Sequence, residues 1–250
     1  MNTLRNVIVV AMLTSCIAAD DPAVDETESN VIVAEALSAT QFNAAKTAAS
    51  AIGAASLSSN SAAIQTLIST PSGRAMFTVI VQCAVSSGQS VTATGPGGPI
   101  VFSGQLGVAS AWRLAVPTQA NKRWTTACVM ARTNAFGLTS LVSLRHDTFL
   151  PLISTAAERA AYPIAVGAFY GDLFQAFPKT YACGAVAWPP GSDPLVECAR
   201  TINGVTTNCG FTWTGLCPAT LGPCLDKIAP FGSCRGDITQ HAEVATLFIQ

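Results

Sequence analysis

The chain reads as an α+β protein: N-terminal helices packed on antiparallel strands, followed by a disulfide-rich, strand-and-loop C-terminal part. Three observations predict this. Capped apolar stripes at helical spacing occupy the first half, β-branched and aromatic runs occupy the second, and six of the nine cysteines crowd between Cys183 and Cys234 among prolines and glycines.

Residues 36–69 are rich in Ala and Ser and predict helix in part. Thr70-Pro71 supplies an N-cap and a first-turn proline for a helix over 71–86, with Met76, Ile80 and Cys83 on one stripe and Gly88 as its stop. Residues 89–94 and 99–103 flank Gly95-Pro96-Gly97-Gly98 and predict a hairpin. Thr118 caps a helix over 119–135 in which Trp124, Cys128, Ala131 and Ala135 share a stripe ended by Gly137. Strands are expected at 138–144, 164–174, 180–186 and 244–249, with a hairpin over 198–209. The organisation expected is a leader over 1–15, an acidic tether over 16–35, a core over 36–180, and a cysteine-rich part over 181–250 in the same or a second domain.

The first 16 residues carry one base, Arg5, then the apolar run Val7 to Leu13, far shorter than the roughly 20 residues of a membrane span. Leu13-Thr14-Ser15-Cys16 resembles the lipobox of bacterial lipoproteins, a resemblance that implies lipidation of Cys16 and export. Cleavage behind Ala19 as an ordinary signal peptide is the alternative. Asp20, Asp21, Asp25, Glu26, Glu28 and Glu35 follow with no base among them, a composition too polar to fold by itself and suited to a tether. Ile17 rather than Asp after Cys16 points to the outer membrane. Segments Arg123 to Cys128, Asn134 to Gly137, Ser143 to Arg145 and Gly167 to Phe174 resemble parts of uncharacterised, cysteine-rich exported bacterial proteins, and that resemblance brings no activity with it.

Hydrophobic residues make up 50% of the chain and charged residues 11%, against about 25% in an average soluble domain, so Ser, Thr, Asn, Gln and Gly must build much of the surface. The 13 basic residues are scattered, with only Lys122-Arg123 adjacent, which argues against nucleic acid as a partner.

Cys83, Cys128, Cys183, Cys198, Cys209, Cys217, Cys224 and Cys234 form an even set for an oxidising compartment, and eight cysteines allow 105 pairings. Two pairs follow from local geometry. Asn203-Gly204 places Ile202 opposite Val205 in a type I′ hairpin, and counting outward puts Cys198 opposite Cys209. The two predicted helices each carry one cysteine on the buried stripe, which pairs Cys83 with Cys128. Paired Cys-x2-Cys knuckles are absent and only His146 and His241 exist, so no metal is expected. Gly95-Pro96-Gly97-Gly98 lacks the Lys-Ser/Thr continuation of a phosphate loop, and no cofactor is expected.

No Gly-x-Ser-x-Gly elbow is present, and on a strand Asp147 points away from its neighbour His146, which weakens a Ser-His-Asp triad. Asp147, Glu158, Asp172, Asp193 and Glu197 are the candidate carboxylates for a glycosidase pair. Phe169, Tyr170, Phe174, Phe177, Trp188 and Trp213 suit strand core more than a sugar-binding face. Arg235-Gly236-Asp237 spells an adhesion tripeptide but reads more simply as leading into an Asp237-Ile238 start of the last strand. The expectation is a lipid-anchored, disulfide-stabilised protein of the cell envelope with a binding or structural role, its partners the membrane and an envelope protein or glycan. An exported hydrolase using paired carboxylates is the alternative.

Overall fold

Every described α-helix begins on a hydroxyl side chain, and those caps organise the first half of the computed structural model, which describes residues 31–33, 37–135, 137, 139, 141–185, 201–202, 205–206 and 209–250. Strand β1 (Val31–Val33) and the short β2 (Leu37–Ser38) lead into α1 (Ala39–Ser50), where Ser38 accepts from the Gln41 N–H while the Gln41 side chain returns to the Ser38 backbone. Ser61 caps α2 (Ala62–Ile68), and Thr70, with Pro71 in the first turn, caps α3 (Pro71–Ala84). The hairpin β3 (Ser90–Gly95) and β4 (Gly98–Ser103) turns at Pro96-Gly97, with Gly98 at φ +111° where a side chain would be strained. Thr118 and Asn121 form the capping box of α4 (Gln119–Ala131). Each such cap contributes about 1 kcal/mol.

The predicted helix over 119–135 therefore stops four residues early. Thr133–Asn134 leave it to form β5, which pairs in parallel with β2, and the Thr133 hydroxyl donates back to the Val129 carbonyl at 2.9 Å. Next come β6 (Leu141–Arg145), α5 (Ala156–Ala161) capped by Thr155, β7 (Ile164–Asp172) and β8 (Lys179–Gly184). Two-residue strands β9 (Thr201–Ile202) and β10 (Val205–Thr206) pair with Ile202 opposite Val205, the register that Asn203-Gly204 demands. Then β11 (Thr212–Leu216), the ribbon of β12 (Cys234–Arg235) and β13 (Gln240–His241), and β14 (Val244–Ile249) complete the described chain.

One six-stranded sheet runs β1-β6-β14-β7-β8-β11, antiparallel except for the parallel β8–β11 pair. The C-terminal strands thus share a sheet with β6 and β7. Within the expected tether over 16–35, the β-branched Val31–Val33 form β1 and extend the sheet edge along β6. The last strand begins at Val244 rather than at Asp237-Ile238, and Ile238 is exposed.

Alternation along β7 and β14 splits the core into two layers. Phe169, Ala245, Leu247 and Ala182 face α1, α3 and α4, while Tyr170, Val244, Tyr181 and Cys183 face a smaller layer with Cys217, Cys224, Phe231 and Cys234. A register shift opposite Leu247 and Phe248 lets both Val166 and Phe169 join the helical side. Cys83–Cys128 ties α3 to α4 as expected, and the opposite layer is fastened by Cys183–Cys217 and Cys224–Cys234. Cys209 is also disulfide-bonded; its expected pairing with Cys198 lies outside the described residues, as do Cys16 and the leader.

Candidate functional site

At the end of the sheet where β7 turns into β8, α4 and the β12–β13 ribbon converge on a cleft of about 110 Å³. Gln119 and Arg123, one helical turn apart on α4, form one wall. Asp172 closes β7, Gln175 and Lys179 come from the following turn and the start of β8, and Thr239 and His241 come from the ribbon.

Asp172 is buried and held at both oxygens: Gln119 Nε2 donates to Oδ2 at 2.5 Å and the Phe174 N–H donates to Oδ1 at 2.8 Å. Lys179 donates to Asp237 at 2.7 Å and the Thr239 N–H donates to the same carboxylate at 2.9 Å, so Asp237 is held well below the usual carboxylate range. Arg123 pairs with Glu243 at 3.5 Å, yet its Nε hydrogen-bonds to nothing described. His241 is only 4% exposed, lies near the rings of Tyr170 and Tyr181, and has a buried Nδ1 without a partner. Burial, helped by the Arg123 charge, pushes its pKa below the ordinary value, so the imidazole is neutral at pH 7. Burial pushes the Tyr170 hydroxyl up to about 12, opposed by its hydrogen bond with Thr214. The cleft therefore offers a carboxylate, two amides, two paired cations and a neutral imidazole.

Of the carboxylates singled out from sequence, only Asp172 lies here among the described residues. Glu158 is fully buried on the far side of β6, accepting from Ser143 Oγ at 2.5 Å and lying 3.9 Å from Arg145 Nε, while Arg145 stacks on Phe248 and donates to the Glu158 and Tyr162 carbonyls. This buried pair fastens α5 to the sheet. Asp147 is exposed beside His146, and Asp193, Glu197 and Trp188 lie outside the described residues.

His146 is a turn residue. The Thr148 and Phe149 N–H groups donate to its Nδ1 at 3.2 and 3.1 Å, its ring meets Trp124 edge-on, and because the chain bends after Arg145 the Asp147 carboxylate lies 3.1 Å from the same nitrogen instead of pointing away as expected. Phe169, Tyr170 and Phe174 are buried core, whereas Phe177 is 84% exposed. In Arg235-Gly236-Asp237, the carboxylate is bound to Lys179 and Gly236 lies against the Tyr181 ring. The sulfurs of Cys183, Cys224 and Cys234 lie within 4.8 Å of one another, each taken up in a disulfide.

Gln119, Arg123, Gln175, Lys179 and Thr239 were not singled out from sequence, because no spacing motif links them; His241 and Asp172 were, but on separate grounds. No family model, curated protein or solved structure matches the chain. Disulfides on both faces of the sheet belong to an oxidising compartment, so the chain is a disulfide-stabilised exported protein. Among the described residues no helix is long and apolar enough to cross a membrane.

Proposed function

We propose that this is a lipid-anchored binding protein of the bacterial cell envelope, carried on acylated Cys16 and held off the outer membrane by the acidic residues after it. The observation that carries the reading is the set of disulfides fastening both faces of one sheet, which suits prolonged service outside the cytoplasm. The lipobox-like Leu13-Thr14-Ser15-Cys16 supports the anchor, and several acyl chains hold stably where one is marginal. The expected partners are the membrane and an envelope protein or glycan.

Binding is favoured over hydrolysis by the partners of the acids. Glu158 is wholly buried against Ser143 and Arg145, out of a substrate's reach, and Asp172 accepts hydrogen bonds at both oxygens. Mass spectrometry of the mature N-terminus tests the anchor. The expected result is an acylated Cys16, with Cys16→Ala moving the protein from the membrane fraction to the soluble one. A mature chain beginning at Asp20 overturns it.

A further inference from the structure

We infer that the outer face of the disulfide-bonded layer, the surface carrying Leu221, Leu225, Ile228, Arg235 and Ile238, docks on an anionic phospholipid bilayer. The inference rests on the anchor proposed above for which bilayer the face meets, and it deepens that reading by naming the side of the fold turned toward the lipid.

The ribbon decides which side chains point outward. Cys224 pairs with Cys234, and Cys234 lies opposite His241, with all three side chains buried. Alternation then turns Leu225 and Arg235 to the outer face, where the Leu225 N–H donates to the Ser233 carbonyl at 3.0 Å and the Arg235 N–H donates to the Pro223 carbonyl at 2.8 Å. Ile238 occupies the β12–β13 turn. Lys227 donates to the Ala219 and Cys224 carbonyls, which ties the turn bearing Leu221 to the loop bearing Ile228. Leu221 and Ile238, at 98% and 96%, are the most exposed large apolar side chains described, with Ile228 at 83%. They cannot fold under, because Phe231, Tyr170, Tyr181 and the half-cystines already fill the layer beneath.

The charges of the same stretch are turned the other way. Asp226 accepts from the Gly232 N–H at 2.9 Å, Asp237 accepts from Lys179 and the Thr239 N–H, and the Lys227 ammonium is engaged with carbonyls. Arg235 is exposed with no side-chain partner among the described residues. Apolar side chains outward, a cation open and both acids held make the complement of a surface that is apolar within and phosphate-bearing outside. A protein partner is fixed in register by a rim of outward hydrogen-bonding groups, and this stretch turns most of its own onto its own backbone. Residues 17–30 span roughly 50 Å at full extension, so an anchored fold is never far from the bilayer. β1 and β14 both lie antiparallel to β6, so β1 enters the sheet from the end at which the ribbon hands over to β14, and the tether reaches the fold at that end.

The test takes the disulfide-intact chain from Cys16 onward, which holds every described residue, and couples the Cys16 thiol to a maleimide lipid. The host is a nanodisc of phosphatidylethanolamine and phosphatidylglycerol that carries a nitroxide lipid, read by methyl NMR. Expected is selective broadening of the Leu221, Leu225, Ile228 and Ile238 methyl signals, with Leu114 and Val116 spared although they are 69% and 66% exposed ahead of α4. Leu221→Ser/Ile228→Ser should lower the docked-to-free ratio about ten-fold. Arg235→Gln, or phosphatidylcholine in place of phosphatidylglycerol, should lower it about five-fold. The substituted side chains are exposed, so the variants keep the fold, which unchanged signals from the helical layer verify. The inference falls if the nitroxide broadens every face alike, if it broadens Leu114 and Val116 instead, or if the double variant docks undiminished. It falls equally if the four methyls shift with protein concentration in the absence of lipid, which would make the face a contact between copies of the chain. The coupling is chemical, so a chain that proves unacylated in the cell overturns the anchor and leaves the docking result to stand by itself.

Discussion

His241 has the environment best suited to a pH-dependent readout. The groups facing it are Arg123 on α4, Asp172 and Tyr170 on β7, Tyr181 on β8, and Asp237 and Glu243 on either side of its own strand. Burial and Arg123 disfavour the imidazolium more than the three carboxylates favour it, so the folded-state pKa lies below the ordinary 6.5. The unfolded chain then binds the proton more readily than the folded one. Stability from this residue is fully present above 6.5 and is lost as pH falls toward the lower folded value. Melting temperature measured between about pH 7.5 and 5 should therefore fall less in His241→Gln than in the parent chain. Parallel curves for the two proteins would refute the assignment.

At the scale of elements, the Cys83–Cys128 bridge joins α3 to α4 across a separation of 45 residues, with Cα atoms 5.9 Å apart and both sulfurs in the helical core. A loop of that length gives about 4 kcal/mol in the chain-entropy model. Replacing both cysteines by Ala should lower the unfolding free energy in urea by about that amount, and a loss below about 1 kcal/mol would show that helix packing alone holds the pair. This bridge was legible from sequence because Thr70 and Thr118 fix where each helix starts, and the stripes then place one cysteine on each buried face. The 90–103 hairpin and β14 were legible for similar local reasons, a glycine turn and an unbroken apolar run. Strand β1, helix α5 and the β12–β13 ribbon were not, since elements of two to six residues owe their form to neighbours distant in sequence. The cleft was illegible on the same account, its residues coming from three segments that only the fold brings together.

The whole molecule is a sheet with a helical layer on one face and a disulfide-bonded layer on the other, and the two layers are stabilised by different means. The helical side has large apolar side chains such as Trp112, Phe42 and Phe77 in full burial. The opposite layer is smaller, and four of its ten buried members are half-cystines. Covalent closure thus takes over where apolar area runs short. It also places two disulfides side by side, for the Cys183 and Cys224 sulfurs are 3.5 Å apart although each is bonded elsewhere. A peptide map of the parent chain under non-reducing conditions should return Cys183–Cys217 and Cys224–Cys234. In Cys217→Ser, the freed Cys183 thiolate lies within reach of Cys224. Its attack forms Cys183–Cys224, breaks Cys224–Cys234, and leaves Cys234 to take up the proton. Alkylation of the folded variant followed by mapping should therefore find a population labelled at Cys234. Label confined to Cys183 would mean that the layer holds its sulfurs too rigidly for exchange, and that packing as well as covalent closure fixes the pairing on this face.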